Sequence, residues 1–272
     1  MLFYPNAKIN IGLNIVHKRP DGYHDLETIF YPIPLTDILE IVPDNEGGMG
    51  SCEIFQTGIE FDGLPSSNIC VKAYELLNEV FEIPSVKIHL HKQIPVGAGL
   101  GGGSSDAAET LKGLNSMFQL GLSIEELASY ASQLGADCAF FIENKPQFAK
   151  GIGDEFEDLE IDLKGMYLVL VCPNIHSSTA EAYSAVTPSA SKLLKETIQE
   201  SPSNWKKIIF NDFEDSIFPL YPEVENLKIE LYAKGAVFAA MSGSGSSVFG
   251  IFDESPDCYF ELGEVNYHVF KL

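Results

Sequence analysis

A chain of 272 residues, 45% hydrophobic and 21% charged, has the makeup of a soluble globular protein with one large core or two smaller ones, and two domains are expected. Its 17 basic against 39 acidic residues leave a formal net charge of −22, which repels a nucleic-acid backbone and excludes nucleic acid as an expected partner. No apolar run reaches the roughly 18 residues of a membrane span, and the opening MLFYPNAKINIGLN lacks the charged and apolar regions of a signal peptide, so a cytoplasmic protein is expected.

Cys52, Cys70, Cys138, Cys172 and Cys258 are odd in number, scattered and without CxxC spacing, which argues for free thiols rather than disulfides or a zinc site. Acidic runs such as Glu155 to Glu160 read as solvated surface. With so negative a chain, a phosphate-bearing ligand would depend on local amides, a few lysines and a divalent cation.

To about residue 150 the chain mixes short alternating strands with helices, an α+β texture. Strands are expected at Ile38 to Val42 and Ser51 to Phe55, and a helix over Val71 to Phe81. Val86 to His91 alternates apolar and polar residues like a half-buried strand. It leads into PVGAGLGGGSSDAA, Pro95 to Ala108, in which five of the seven positions from Gly97 to Gly103 are glycine. Glycine admits backbone conformations closed to other residues and lets a ligand approach the chain closely. Because the run feeds a helix N-terminus, unpaired N–H groups and the helix dipole add to the same spot, the physical basis of a polyphosphate cradle. A flexible linker is the bland reading, and the ordered flanks argue against it. The loop lacks the Gly-Lys-Ser/Thr ending of a P-loop and the spaced acidic residue of a dinucleotide fingerprint.

Further along, Ser123 and Glu126 have the spacing of a capping box, placing a helix over about 124 to 133. A strand is expected over Gly165 to Cys172, helices near 189 to 200 and 222 to 233, and a closing pair of strands, Ala236 to Met241 and Ser247 to Phe252. The glycine-serine turn Ser242 to Ser246 joins that pair.

Three separated segments, PNAKIN at Pro5 to Asn10, the loop at Pro95 to Ala108 and MSGSGSSVF at Met241 to Phe249, resemble the three ordered motifs of the GHMP kinases, small-molecule kinases related to those of galactose, homoserine and mevalonate. More narrowly, Ala7 to Leu13, RPDGYH at Arg19 to His24 and LGADCAFF at Leu134 to Phe141 resemble the branch that phosphorylates 4-diphosphocytidyl-2-C-methyl-D-erythritol in non-mevalonate isoprenoid synthesis. The likeness is weak between about 185 and 235. It implies an α/β two-domain fold: a nucleotide domain like ribosomal protein S5 domain 2 over residues 1–155, and a ferredoxin-like substrate domain over 156–272.

By this resemblance ATP is the phosphoryl donor, with Mg²⁺, and a hydroxyl of the methylerythritol moiety is the acceptor. Asp137 is implied as general base, and Lys8 as the charge that stabilises the reacting oxygen. The ATP phosphates fall to Pro95, Val96, Gly97, Ala98, Gly99, Leu100, Gly101, Gly102, Gly103, Ser104 and Ser105. Asn68 and Lys92 match positions near the nucleotide, against the bland reading of a solvated loop asparagine and strand-end lysine. Tyr23 offers an aromatic face and His24 an imidazole that can read a pyrimidine edge. Asn10, Thr179, Tyr183, Gly243 and Gly245 complete the substrate set; a core tyrosine, a turn threonine and a tight hairpin remain the alternatives for the last four. Asp106 stands where some relatives carry Asn, and no metal ligand is assigned. No protein partner is evident, and a monomer or weak homodimer is expected. Another GHMP small-molecule kinase, or a non-catalytic nucleotide-binding relative, remains the alternative.

Overall fold

The computed structural model describes residues 1–45, 50–60, 64–189, 193–256 and 265–272; Cys258 and part of the helix expected near 189 to 200 lie outside them. By chain contacts the protein divides into two units, each discontinuous in sequence. One comprises residues 1–8, 32–96 and 101–145; the other comprises 9–31, 97–100 and 146–272.

The first unit is built on a four-stranded sheet, β1 (Leu2–Phe3), β4 (Ile38–Pro43), β6 (Val86–Lys92) and β5 (Cys52–Gly58), in that order. β6 shows the expected alternation, with Val86, Ile88 and Leu90 buried. It pairs antiparallel with β4 and parallel with β5. A parallel pair needs a crossover, which α1 (Ile69–Phe81) supplies. α1 buries Cys70, Ala73, Tyr74 and Leu77, the stripe of a helix laid on one face. α2 (Gly102–Phe118) follows the glycine run, and its Ala107, Ala108, Leu111 and Leu114 are buried. α3 (Ile124–Leu134) starts at the expected capping box: Ser123 Oγ accepts the Glu126 N–H and the Glu126 carboxylate accepts the Ser123 N–H. A 3-10 turn, Ala136–Cys138, leads into the short α4 (Phe140–Glu143).

The second unit carries two sheets. One has the order β2 (Asn6–Lys18), β3 (His24–Thr36), β7 (Gln147–Lys150), β8 (Glu155–Asp158); the first three residues of β2 and the last five of β3 belong to the first unit. β2 and β3 are 13 residues each, longer than the short strands expected. Pro32 and Pro34 lie within β3, and proline normally demotes a strand when read from sequence. The other sheet is antiparallel, in the order β10 (Phe238–Met241), β11 (Val248–Phe252), β9 (Tyr167–Cys172), β12 (Asn266–Lys271). The expected strand pair is β10 and β11, but β12 follows it and covers the free side of β9. α9 (Pro222–Ala233) packs on β10 and β11, burying Val224, Leu227 and Leu231. These join Leu13, Ile15, Val169, Val171, Phe213 and Met241 in the unit's core. Shorter helices are α5 (Thr179–Ser184), α6 (Leu194–Thr197), α7 (Pro202–Trp205) and α8 (Glu214–Ile217). Of the helix expected near 189 to 200, the described residues show only the single turn α6.

Glu157, in the acidic run expected as solvated surface, has a side chain 39% exposed and accepts from both Lys150 and Lys195. The overall class is α+β, as the sequence implies.

Candidate active site

In the first unit, Lys8 comes from the start of β2 and Asp137 from the 3-10 turn after α3. Lys8 Nζ lies 3.4 Å from Asp137 Oδ2; the lysine side chain is 4% exposed and the carboxylate 33%. A mostly buried ammonium beside a solvent-reachable carboxylate suits a pair that works on a ligand arriving from one side. Lys8 also lies along the end of the glycine run, because a methyl group added at Gly101 would sit 3.1 Å from Lys8 Cε and 3.0 Å from the Phe141 ring. Gly101 has φ +70°, a left-handed conformation that favours glycine, and it caps the start of α2. Gly102, Gly103, Ser104 and Ser105 form the first turn of that helix. Burial pushes the thiol of Cys138, the residue after Asp137, up to about 11.

Neither Asn68 nor Lys92 is solvated. Asn68 is the N-cap of α1, its Oδ1 accepting the Cys70 N–H at 2.9 Å and its amide donating to Gln56. Lys92 is 2% exposed and donates to two carboxylates, Asp37 and Asp106. Burial works to lower its pKa, but the two carboxylates outweigh burial and raise it. Burial likewise pushes Asp106 up to about 7; Lys92 opposes the rise and the neighbouring charge of Asp37 adds to it.

In the second unit, Ala98 and Leu100 are buried while Gly97 and Gly99 keep positive φ, so two apolar anchors hold a backbone arch. Ser242 Oγ donates to Gly99 O at 2.8 Å, and Ser247 N donates to Ala98 O at 3.2 Å. A methyl group at Gly99 would fall 1.9 Å from Ser242 O, so only glycine permits this approach of the two glycine-serine segments. Asn10 is buried in β2; its backbone N–H donates to Ser242 Oγ, and its amide donates to Thr28 Oγ1 at 2.8 Å. Gly243 lies beside it, with space for a methyl group only 3.2 Å from Asn10 Oδ1. Gly243 and Gly245 both adopt positive φ. In the first unit, Val96 is 49% exposed and follows Pro95 at the start of the glycine run.

RPDGYH forms the turn between β2 and β3, closed by Arg19 N donating to Tyr23 O and by the Arg19–Asp21 ion pair. Tyr23 is 62% exposed, so its ring is presented to solvent. His24 stacks on Tyr183, ring centroids 4.7 Å apart and planes 21° from parallel, and Tyr183 meets Phe213 edge-on at 4.8 Å. Burial and nearby Lys18 lower the His24 pKa, favouring the neutral ring that can both donate and accept. Thr179 opens α5, whose cap is a Ser178–Glu181 capping box.

Two supporting residues escaped the sequence reading. Asn211 donates to Met241 O at 2.9 Å and Gly243 O at 2.8 Å, and Glu214 accepts the Met241 N–H at 2.9 Å. Together they fix the start of the last glycine turn. Both lie in the weakly patterned stretch between 185 and 235, where no local signal marks a side chain that bonds a distant carbonyl. Among the described residues no group of three or more His, Cys, Asp or Glu is arranged to hold a metal ion, and none of their helices is long and apolar enough to cross a membrane.

Residues 68–145 match the family model for the GHMP kinases N terminal domain, and residues 191–258 match that for the GHMP kinases C terminal. A GHMP kinase is thus the class that sequence, fold and glycine loops define in common. The chain is 56% identical over 253 residues to the 4-diphosphocytidyl-2-C-methyl-D-erythritol kinase of Bacteroides fragilis, covering 93% of this chain and 92% of that one. It is 51% identical to the enzyme of the same name from Azobacteroides pseudotrichonymphae, over the whole of both chains. A crystal structure of 4-(cytidine 5'-diphospho)-2C-methyl-D-erythritol kinase superposes with a TM-score of 0.76 at 31% identity, covering 92% of this chain and 90% of that one. The chain belongs to the 4-diphosphocytidyl-2-C-methyl-D-erythritol kinase family.

Proposed function

We propose that this chain transfers the γ-phosphoryl group of ATP to the 2-hydroxyl of 4-diphosphocytidyl-2-C-methyl-D-erythritol, a step of the methylerythritol phosphate route to isoprenoid precursors. The observation that carries the reading is Lys8, whose stem lies against Gly101 while its ammonium stands 3.4 Å from Asp137. One side chain thereby connects a glycine of the loop to the carboxylate that this reading makes the proton acceptor.

In this reading Asp137 accepts the proton of the substrate hydroxyl as the oxygen attacks the γ-phosphorus, and the bond from phosphorus to the bridging oxygen of ADP breaks. Lys8 stabilises the charge gathering on the acceptor oxygen. Phosphoryl transfer asks little covalent chemistry of a protein and much positioning. The segment Pro95 to Ser105 supplies backbone donors to the ATP phosphates, and Asn68 and Lys92 support the nucleotide from α1 and β6. Mg²⁺ would arrive with ATP and neutralise charge on its phosphates, and no residue of this chain is assigned to hold it. Tyr23, His24 and Tyr183 recognise the cytidylyl ring, while Asn10, Thr179, Gly243 and Gly245 contact the remainder of the substrate. An ATP-binding portion over 1–155, a substrate portion over 156–272, a cytoplasmic setting and a monomer or weak homodimer belong to the same proposal.

The test is ADP release by the purified protein with Mg-ATP and a panel of 4-diphosphocytidyl-2-C-methylerythritol, methylerythritol, homoserine, mevalonate and galactose. Turnover confined to the cytidylyl compound is expected. Turnover with one of the others instead would overturn the substrate assignment.

A further inference from the structure

We infer that Asp37 and Asp106, joined through Lys92, are positioning residues that hold the two ends of the glycine-rich loop for ATP. The inference rests on the reading of that loop as the ATP phosphate site.

Asp37 is 0% exposed and lies in the single residue between β3 and β4. Its Oδ1 accepts the N–H groups of Gln93 at 2.6 Å and Ile94 at 2.9 Å, and its Oδ2 accepts from Lys92. Its own N–H donates to Pro5 O at 2.9 Å. One carboxylate therefore anchors three consecutive residues immediately before Pro95, where the loop begins. Lys92 continues to the far end of the loop, where its ammonium donates to Asp106 Oδ2 at 2.7 Å on α2. That ammonium also lies 3.3 Å from the place a methyl group at Gly102 would occupy.

The cluster is not what packing alone would select. Two carboxylates share one ammonium at 1–2% exposure or less, and Asp106 Oδ1 is buried with no hydrogen-bond partner. Burying surplus charge is costly, and an apolar cluster of the same volume would pack at least as well. What the charged cluster adds is a directional tie from β6 to α2 across the base of the loop. A glycine-rich segment has the most conformational freedom to lose on ordering, so fixing its ends in advance lowers the cost of arranging its amides around phosphate.

The test combines amide hydrogen exchange over residues 93–105 with steady-state kinetics of Asp37→Asn and Asp106→Asn in the full chain. For Asp37→Asn, exchange should quicken and KM for ATP rise by about tenfold, while kcat and KM for the cytidylyl substrate stay within about twofold. Asp106→Asn should move the same quantities by a smaller factor, and it decides the matter alone if Asp37→Asn does not fold. Unchanged loop exchange in the folded variants would overturn the anchoring role. Faster exchange with an unchanged KM for ATP would show the loop anchored but would overturn its assignment to ATP. A purely structural role would lower the active fraction and leave both KM values where they were.

Discussion

Lys8 Nζ stands 3.4 Å from Asp137 Oδ2, and the stem of the same lysine passes Gly101 at the start of α2. The pair joins the carboxylate of the 3-10 turn after α3 to the end of the glycine run. Asp137→Asn keeps the shape and removes the proposed proton acceptor, so kcat should fall by about 10²–10⁴-fold with both KM values little changed. Single-turnover rates with bound Mg-ATP check this, and unaltered turnover would remove Asp137 from the mechanism.

The stack of His24 on Tyr183 makes a second, separable prediction. Tyr183→Ala removes the face that holds the imidazole, and an aromatic pair of this kind is worth about 0.5–1.5 kcal/mol. KM for the cytidylyl substrate should rise by about two- to thirteenfold, the range that this energy gives. KM for ATP should not move. A lower active fraction with both KM values unchanged would mean that Tyr183 is a core residue alone.

Gly99 and Gly103 should respond in opposite ways to alanine. At Gly99, with φ +77° and a methyl group colliding with Ser242 O, the arch cannot persist, and a loss of about 1–3 kcal/mol or more is expected. At Gly103, in the first turn of α2, a methyl group meets no protein atom within 4 Å. Gly103→Ala should therefore hold or raise the melting temperature, by up to about 1 kcal/mol of helix stability. It should nonetheless weaken ATP binding, which calorimetric titration would reveal. Full affinity in the alanine variant would mean that phosphate does not approach this glycine.

The stability of the protein should carry a pH signature from Asp106, which faces Lys92, Asp37 and Cys70. Its pKa is pushed up to about 7 in the folded chain against 3.8 ordinarily, so between those values the native state binds a proton that the unfolded state has released. Stability from this group is therefore highest at low pH, declines as pH rises towards about 7, and is flat above it. Relative to wild type, Asp106→Asn should gain melting temperature across that window. A difference independent of pH would contradict the assignment.

Asn211→Ala should cost about 1–3 kcal/mol, because the carbonyls of Met241 and Gly243 lose their shared donor in a buried setting. Denaturant unfolding measures the loss. KM for the cytidylyl substrate should rise in the same variant, since the turn carrying Gly243 is no longer fixed.

Local signals carried some features unaided. The capping box at Ser123 and Glu126, the alternation of β6 and the glycine run before α2 are patterns a few residues long, and each was legible because its cause is short-range sterics and hydrogen bonding. The motifs around Lys8 and Asp137 were legible for a different reason, their resemblance to a family. Only the tertiary structure could decide that Lys92 is buried between Asp37 and Asp106, that Asn68 caps a helix, and that Asn211 reaches the last glycine turn. The same holds for β3 persisting through Pro32 and Pro34 and for β12 completing a sheet beside β9. In each of these the partner lies on another element, so the energy that fixes the residue comes from burial and pairing across the chain, and the neighbouring letters carry no trace of it.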